Sequence, residues 1–135
     1  MKKINRKIPA FNLQEMLTVL VIIGILILIA IPSMMPLIAK AKSTEAQMQL
    51  KHIFNTQRTH FFMYSKYSTD FNEIGFEAPV TVENNGNSNY VYEITEASNN
   101  SFIAKATAVT DFDGDGVFNV WEIDHNQQLR ETVKD

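Results

Sequence analysis

The longest uncharged stretch of the chain runs from Met16 to Ala39 and contains 24 residues. At about 1.5 Å per residue, a helix of this length covers about 36 Å, whereas the hydrocarbon core of a bilayer is about 30 Å thick. The preceding residues, 1–10, carry four cations and no acid, and the positive-inside rule keeps such a flank in the cytoplasm. We therefore expect a single membrane anchor with a cytoplasmic N-terminus and an exported remainder.

A cleaved secretory signal peptide is the ordinary alternative to a retained anchor. Its apolar core has about 7–15 residues and ends at a small-residue cleavage site. The uncharged run here is longer, and the residues after it, AKAKSTEAQMQL, continue as good helix formers. The sequence therefore favours a retained anchor.

Glu15 lies directly before the uncharged run. Because an isolated carboxylate inside a membrane is costly, such a residue is a functional candidate. The alternative is that Glu15 lies at the level of the lipid headgroups, where it needs no partner.

The residues around Glu15 resemble the N-terminus of type IV prepilins and of type II secretion pseudopilins. A basic leader is followed by the segment PAFNLQE and then by the apolar run. In this family a membrane peptidase cuts after a small residue, usually Gly, and methylates the new N-terminal residue, usually Phe. The resemblance covers about residues 1–64. It implies that residues 1–10 are a leader peptide, that cleavage follows Ala10, where Gly is usual, and that Phe11 is N-methylated.

The resemblance also assigns roles within the mature helix. Glu15 matches the glutamate five places into the mature chain, and Gly24 and Pro32 match positions that weaken the helix. Pro36 adds a second proline, and each proline inside a helix costs about 3 kcal/mol. We expect a helix from about Phe11 to Tyr64 that is interrupted near these weak points, which would permit local stretching of a filament.

Cleavage after Ala10 gives Glu15 a chemical partner. The new amine on Phe11 has a reference pKa near 8 and is cationic at neutral pH. The Glu15 carboxylate of a neighbouring subunit can pair with this amine inside the membrane. Because two buried charges must meet in one geometry, such a pair fixes the axial position of one subunit relative to the next more than it adds net stability. We expect Glu15 to set the axial stagger of subunits in a filament.

The remainder of the chain predicts an α+β fold. After the anchor, residues 11–39, an amphipathic helical half covers residues 40–64 and a small head covers residues 65–135. In the amphipathic half, apolar residues recur at steps of three and four: Ala46, Leu50, Ile53, Phe54, Phe61 and Tyr64. The head contains a short helical turn and three strand-like runs, at residues 70–74, 89–96, 101–109 and 117–123. The expected architecture is a pilin fold, with the long helix packed on an antiparallel sheet of three or four strands.

An acidic motif, DFDGDG, precedes the third strand-like run and predicts a calcium site. Carboxylates at alternate positions before a glycine match the first half of a calcium-binding loop. Asp111, Asp113 and Asp115 are the expected ligands, together with the backbone carbonyl of Val117, because Ca²⁺ takes about 6–8 oxygens. The alternative is a solvated turn that binds no ion.

The sequence does not decide which residues supply the remaining calcium ligands. Glu122 falls at the twelfth position of the loop, but on an extended strand it would lie about 13 Å away along the chain. Asn119 or Asp124 could complete the shell instead.

The absence of cysteine excludes several classes of chemistry. Disulfides, cysteine-ligated zinc, iron–sulfur clusters and thiol nucleophiles are all ruled out. Because small domains often need a disulfide or a structural metal for stability, we expect calcium to replace a disulfide in stabilising the head. No arrangement of nucleophile and base stands out, so we expect no enzyme, and the net charge of −3 predicts no nucleic acid as main partner.

These features predict a structural subunit of a type IV pilus-like filament in the bacterial inner membrane. Both a major pseudopilin of type II secretion and a small type IV pilin fit them. The implied partners are other pilin subunits, prepilin peptidase and an inner-membrane assembly machinery driven by a cytoplasmic ATPase. The head would be periplasmic or on a cell-surface filament. The alternative is a monomeric membrane-anchored module for calcium binding or adhesion.

Overall fold

The computed structural model describes residues 9–135, and it confirms the predicted α+β fold class. The leader assigned to residues 1–10 lies mostly outside the described residues. The chain divides into two compact units, with the boundary between Met34 and Met35. The elements, in chain order, are α1 (Leu13–Tyr64), α2 (Phe71–Ile74), a 3₁₀ turn (Val82–Asn84), β1 (Tyr90–Ala97), β2 (Phe102–Ala108), β3 (Val120–Asp124) and β4 (Leu129–Val133).

Helix α1 is continuous, which corrects the expected interruptions at Gly24, Pro32 and Pro36. The two prolines are four residues apart and therefore lie on one face of the helix. Their missing N–H groups remove hydrogen bonds on that face alone, so the bonds on the other faces carry the helix past both positions. Whether these residues weaken the helix stays a prediction.

The second half of α1 packs on the sheet through one face. The predicted residues Ala46, Leu50, Ile53 and Phe54 are buried, whereas Tyr64 is 60% exposed. Three polar residues complete the buried face at the same helical spacing: Ser43, Gln57 and His60. The core of the head therefore includes polar side chains of α1, which periodicity of apolar residues does not reveal.

These polar side chains fasten the connector after α1. The Gln57 amide donates to the backbone carbonyl of Ser68 and accepts from the Ser68 N–H. His60 Nδ1 lies 2.9 Å from the Lys66 carbonyl oxygen and donates to it. The connector continues into α2, which confirms the short helical turn expected at residues 70–74. Asp70 caps α2, and α2 ends at Gly75.

The sheet is an antiparallel meander in which the four strands follow chain order. The strand-like run at residues 89–96 is confirmed as β1, in which Tyr90, Tyr92 and Ile94 are buried and their neighbours Val91 and Glu93 are exposed. Burial raises the pKa of Tyr90 and of Tyr92 well above the ordinary value. The Tyr90 hydroxyl therefore keeps its proton and donates to Asn119 Oδ1 at 2.7 Å.

The third strand begins later than predicted, at Val120 instead of residue 117. Val117 lies in the loop because its backbone N–H donates to the Asp115 carboxylate instead of to a strand. The strand β4 is a fourth strand at the sheet edge, and its residues are largely exposed.

Candidate functional site

The predicted cleavage position lies in non-helical, exposed backbone. Ala10 and Phe11 precede α1, and the Phe11 side chain is 79% exposed. The first backbone bond of the helix runs from Met16 N–H to the Asn12 carbonyl. Both residues next to the predicted cut therefore lie outside the helix that begins at Leu13.

Glu15 has a partner within its own chain. Its Oε2 accepts the backbone N–H of Asn12 at 2.9 Å. This is one half of a capping box, in which an acidic residue three places into a helix satisfies the N–H of the capping residue. The N-x-x-E spacing is visible in the sequence, but the charge of Glu15 alone does not reveal its role as a cap. Pairing of Glu15 with an amine of another chain stays a prediction.

The acidic loop folds around Asp111. Its Oδ1 accepts the N–H groups of Gly114 at 2.6 Å and Asp113 at 3.2 Å, and its Oδ2 accepts that of Gly116 at 2.6 Å. Bonds from Gly116 and then from Gly114 lower the pKa of Asp111. The two glycines have φ of +86° and +87°, a conformation that side chains with a Cβ rarely adopt. The glycines thus permit the turn that wraps the backbone around this carboxylate.

Asp113 and Asp115 continue the same pattern. Asp113 Oδ1 accepts the N–H of Asp115, and Asp115 Oδ1 accepts the N–H of Val117. The bond from Asp115 lowers the pKa of Asp113, but desolvation and the charges of Asp115, Asp135 and Asp111 outweigh it, so the pKa is raised overall. The carboxylates of this loop are therefore held close enough to repel one another.

Asp135 is the fourth carboxylate of the cluster, and the sequence did not predict it. One oxygen from each of Asp111, Asp113, Asp115 and Asp135 lies within 4.8 Å of the others. Asp135 Oδ2 accepts the N–H of Phe112 at 2.8 Å, whereas its Oδ1 is buried without a hydrogen-bond partner among the described residues. The pairing of β3 with β4 brings Asp135 to the loop, and no local motif marks such a residue.

The other residues considered as ligands lie elsewhere. Asn119 is 2% exposed, and its Nδ2 donates to Glu131 Oε1 at 2.7 Å. Asp124 Oδ1 accepts the N–H groups of the following turn. Glu122 lies on β3 opposite Lys105 and Arg130, in agreement with the expectation that an extended strand carries it away. None of the three belongs to the carboxylate cluster.

Phe112 anchors the loop to the head. It is 8% exposed and packs edge-to-face on Tyr90 at a centroid distance of 5.9 Å. Lys42 Nζ lies 4.5 Å from the centroid of its ring. The aromatic residue between two aspartates was visible in the sequence, but only the packing shows that it fixes the loop against α1 and β1.

The carboxylate cluster fits a hard cation. Four carboxylates offer oxygen ligands, and the buried oxygen of Asp135 has no other partner among residues 9–135. Ca²⁺ prefers oxygen ligands and tolerates irregular geometry. A carbonyl ligand from Val117 stays a prediction.

Helix α1 and the head together correspond to one class of protein. Among the described residues, α1 is the one helix long and apolar enough to cross a membrane, and it continues into a small α+β head. This architecture is a pilin-like α+β fold, and the apolar half of α1 fits a single-pass membrane anchor.

Comparison with known proteins supports the same class. The chain is 39% identical over 74 residues to the type IV major pilin protein PilA of Myxococcus xanthus (strain DK1622). The match covers 55% of this chain and 34% of the relative, so the chain matches about a third of the relative's length. No protein-family model matches the chain. The resemblance to type IV pilins inferred from the N-terminal residues is confirmed.

Proposed function

We propose that this protein is a structural, non-enzymatic subunit of a type IV pilus-like helical filament. The observation that carries the proposal is the exposed apolar surface of the first half of α1. Four successive residues, Leu26 to Ile29, go once around the helix, and each of them is at least 52% exposed. A helix that is apolar on all sides requires a membrane or other protein around it. A pilin-type subunit would have each of these surroundings in turn, first the bilayer and then the other helices of the filament core.

The similarity to a type IV major pilin favours a pilus subunit over a pseudopilin of type II secretion. The proposed partners are other copies of this chain or related pilins, and an inner-membrane assembly machinery with a cytoplasmic ATPase. The cations before the anchor support an orientation with the N-terminus in the cytoplasm and the head outside it.

Maturation would proceed by cleavage between Ala10 and Phe11 and methylation of the new amine by prepilin peptidase. The exposed, non-helical backbone at these residues supports access by the peptidase. After cleavage, Glu15 would pair with the Phe11 amine of a neighbouring subunit and set its register.

Calcium would be held by Asp111, Asp113, Asp115 and Asp135. The ion would neutralise the mutual repulsion of these carboxylates and join the loop to the segment that follows β4. We assign calcium a structural role because the cluster lies in the head, outside the apolar anchor.

The mass of the mature N-terminus tests the proposal. We expect the protein isolated from membranes of its native cells to begin with N-methylated Phe11. A chain that retains Met1 in those membranes would contradict maturation as a pilin.

Cross-linking separates a filament subunit from a monomeric membrane-anchored module. The chain has no cysteine of its own, so any disulfide must form between introduced cysteines. One copy would carry Asn12→Cys and a second copy Met16→Cys, and the two copies would carry different tags. We expect disulfide-linked pairs that contain both tags, because a filament brings these positions together from different chains. Absence of mixed pairs, with both copies present in the membrane, would favour the monomeric module.

A further inference from the structure

We propose that the head carries a binding groove for an anionic phospholipid headgroup, located where α1 leaves the membrane. The proposal rests on the membrane anchorage argued above. The groove has a volume of about 410 Å³, which lies within the usual range for small-molecule sites, about 300–1,000 Å³. Its walls come from α1 on one side and from β3 and the end of β4 on the other.

The groove lies at the level expected for lipid headgroups. Pro36 and Ala39 line it and belong to the end of the uncharged run. Lys40, which also lines it, is the first charged residue after that run. In a chain anchored by this run, Lys40 lies at the membrane–water interface, and Pro36 and Ala39 adjoin the acyl chains.

The lining matches the chemistry of a headgroup phosphate. Lys40 from α1 and Lys134 from the segment after β4 both contribute to it. Trp121 forms part of the opposite wall, and tryptophan is enriched at membrane interfaces because its ring is apolar and its N–H is polar. Two cations and a tryptophan beside an apolar wall favour a phosphate attached to acyl chains over free phosphate.

The two acids of the lining have partners of their own. Glu131 accepts a hydrogen bond from Asn119 Nδ2 at 2.7 Å. Asp135 accepts the N–H of Phe112 and belongs to the carboxylate cluster. Glu131 Oε1 and Asp135 Oδ2 are thus occupied by protein donors, and calcium bound at the carboxylate cluster would offset the charge of Asp135 beside the two lysines.

Trp121 is the only tryptophan of the chain, so its fluorescence reports on the groove directly. The full chain would be inserted into vesicles of phosphatidylcholine, with or without phosphatidylglycerol that carries a quenching spin label on its headgroup. We expect strong quenching of Trp121 by labelled phosphatidylglycerol. We also expect competition by unlabelled phosphatidylglycerol and no competition by inorganic phosphate.

Lysine variants test the assignment of the groove. Each lysine near an anionic surface contributes about a fivefold preference for the anionic lipid. Lys40→Gln and Lys134→Gln together should therefore raise the concentration of unlabelled phosphatidylglycerol that halves the quenching by more than tenfold. The matched control is Lys51→Gln, which removes an exposed lysine of α1 outside the groove and should leave the competition unchanged.

Three results would overturn the lipid site in a chain that inserts. One is equal competition in the double variant and the unaltered chain, and another is competition by inorganic phosphate alone. The third is quenching that disappears as the protein-to-lipid ratio rises, which would show that a second copy fills the groove. A chain that does not float with the vesicles would contradict the membrane anchorage as well as the lipid site.

Discussion

At the scale of single residues, Glu15 has an observed role as a helix cap and a proposed role as a charge partner, and the two roles depend on different properties of its side chain. As a cap it needs only an acceptor oxygen for the Asn12 N–H. As a partner for a cationic amine of another subunit it needs a negative charge. The two roles can therefore be separated by a substitution that keeps the oxygen and removes the charge.

Glu15→Gln is that substitution, and we expect it to abolish assembly while preserving the start of α1. An unpaired amine in the filament core costs about 3–5 kcal/mol, so incorporation should fall at least about a hundredfold. Glu15→Ala should fail equally in assembly and should also lose about 1 kcal/mol of capping. Filaments would be counted by electron microscopy, and helicity of the chain in detergent would be measured by circular dichroism.

The comparison between the two variants decides which property matters. If Glu15→Gln assembles normally and Glu15→Ala does not, capping is the role of Glu15 and the register hypothesis is wrong.

Single residues also mark the limit of what the sequence could predict. The three aspartates of the acidic loop follow from local spacing, and the structure holds Asp111, Asp113 and Asp115 together. Asp135 could not be predicted, because its approach depends on the register in which β4 pairs with β3, which no local motif specifies. The burial of Gln57 could not be predicted for a related reason. A polar side chain is expected on the solvent-exposed face of a helix, and only its hydrogen bonds with Ser68 make its burial favourable.

At the scale of elements, α1 and three strands were predictable, the third with a displaced start, and β4 was not. The periodicity of 3.6 in α1 and of 2 in β1 and β2 reflects one buried face on each element. The exposed edge strand β4 buries no such face, and it therefore leaves no alternating pattern in the sequence. The start of β3 was displaced because side-chain oxygens of the acidic loop capture the backbone N–H groups that a strand would use.

The prolines of α1 give a prediction at the same scale. Pro32 and Pro36 have no N–H, so the carbonyls four residues before them have no donor within the helix. Pro32→Ala together with Pro36→Ala should restore these bonds and stiffen the filament, with up to about 3 kcal/mol of helix stability per position. The measurement is extension of single filaments under force, where we expect shorter extension for the double variant.

Gly24→Ala is the matched control for the prolines. It should have a smaller effect, because glycine costs a helix about 1 kcal/mol relative to alanine and removes no hydrogen bond. Unchanged extension of the double proline variant would contradict the role of these residues as weak points.

At the scale of the whole molecule, calcium would determine the stability of the head. A ligand that binds only the folded state stabilises it by RT ln(1 + [L]/Kd). With a Kd of about 10⁻⁴ M and about 1 mM Ca²⁺, the gain is about 1.4 kcal/mol. For a domain of this size, the gain corresponds to a rise in Tm of roughly 5–10 °C.

Thermal unfolding of the full chain in detergent, with calcium or with EDTA, measures this rise. Asp135→Asn should lose more than about half of it, because the substitution removes a charged ligand from the cluster. Asp124→Asn is the control and should retain the full rise, since Asp124 caps a turn outside the cluster. Equal midpoints in calcium and EDTA for the unaltered chain would refute the calcium site.

The order of the strands also has a consequence for how the head folds. Because each strand pairs with the strand before it, the sheet can form one hairpin at a time in chain order. Structures built from such local pairings fold faster than those that close long loops, and they expose unpaired edges more briefly. The meander thus suits the proposed filament subunit, whose head would become compact soon after synthesis, before its apolar helix passes from lipid into a filament.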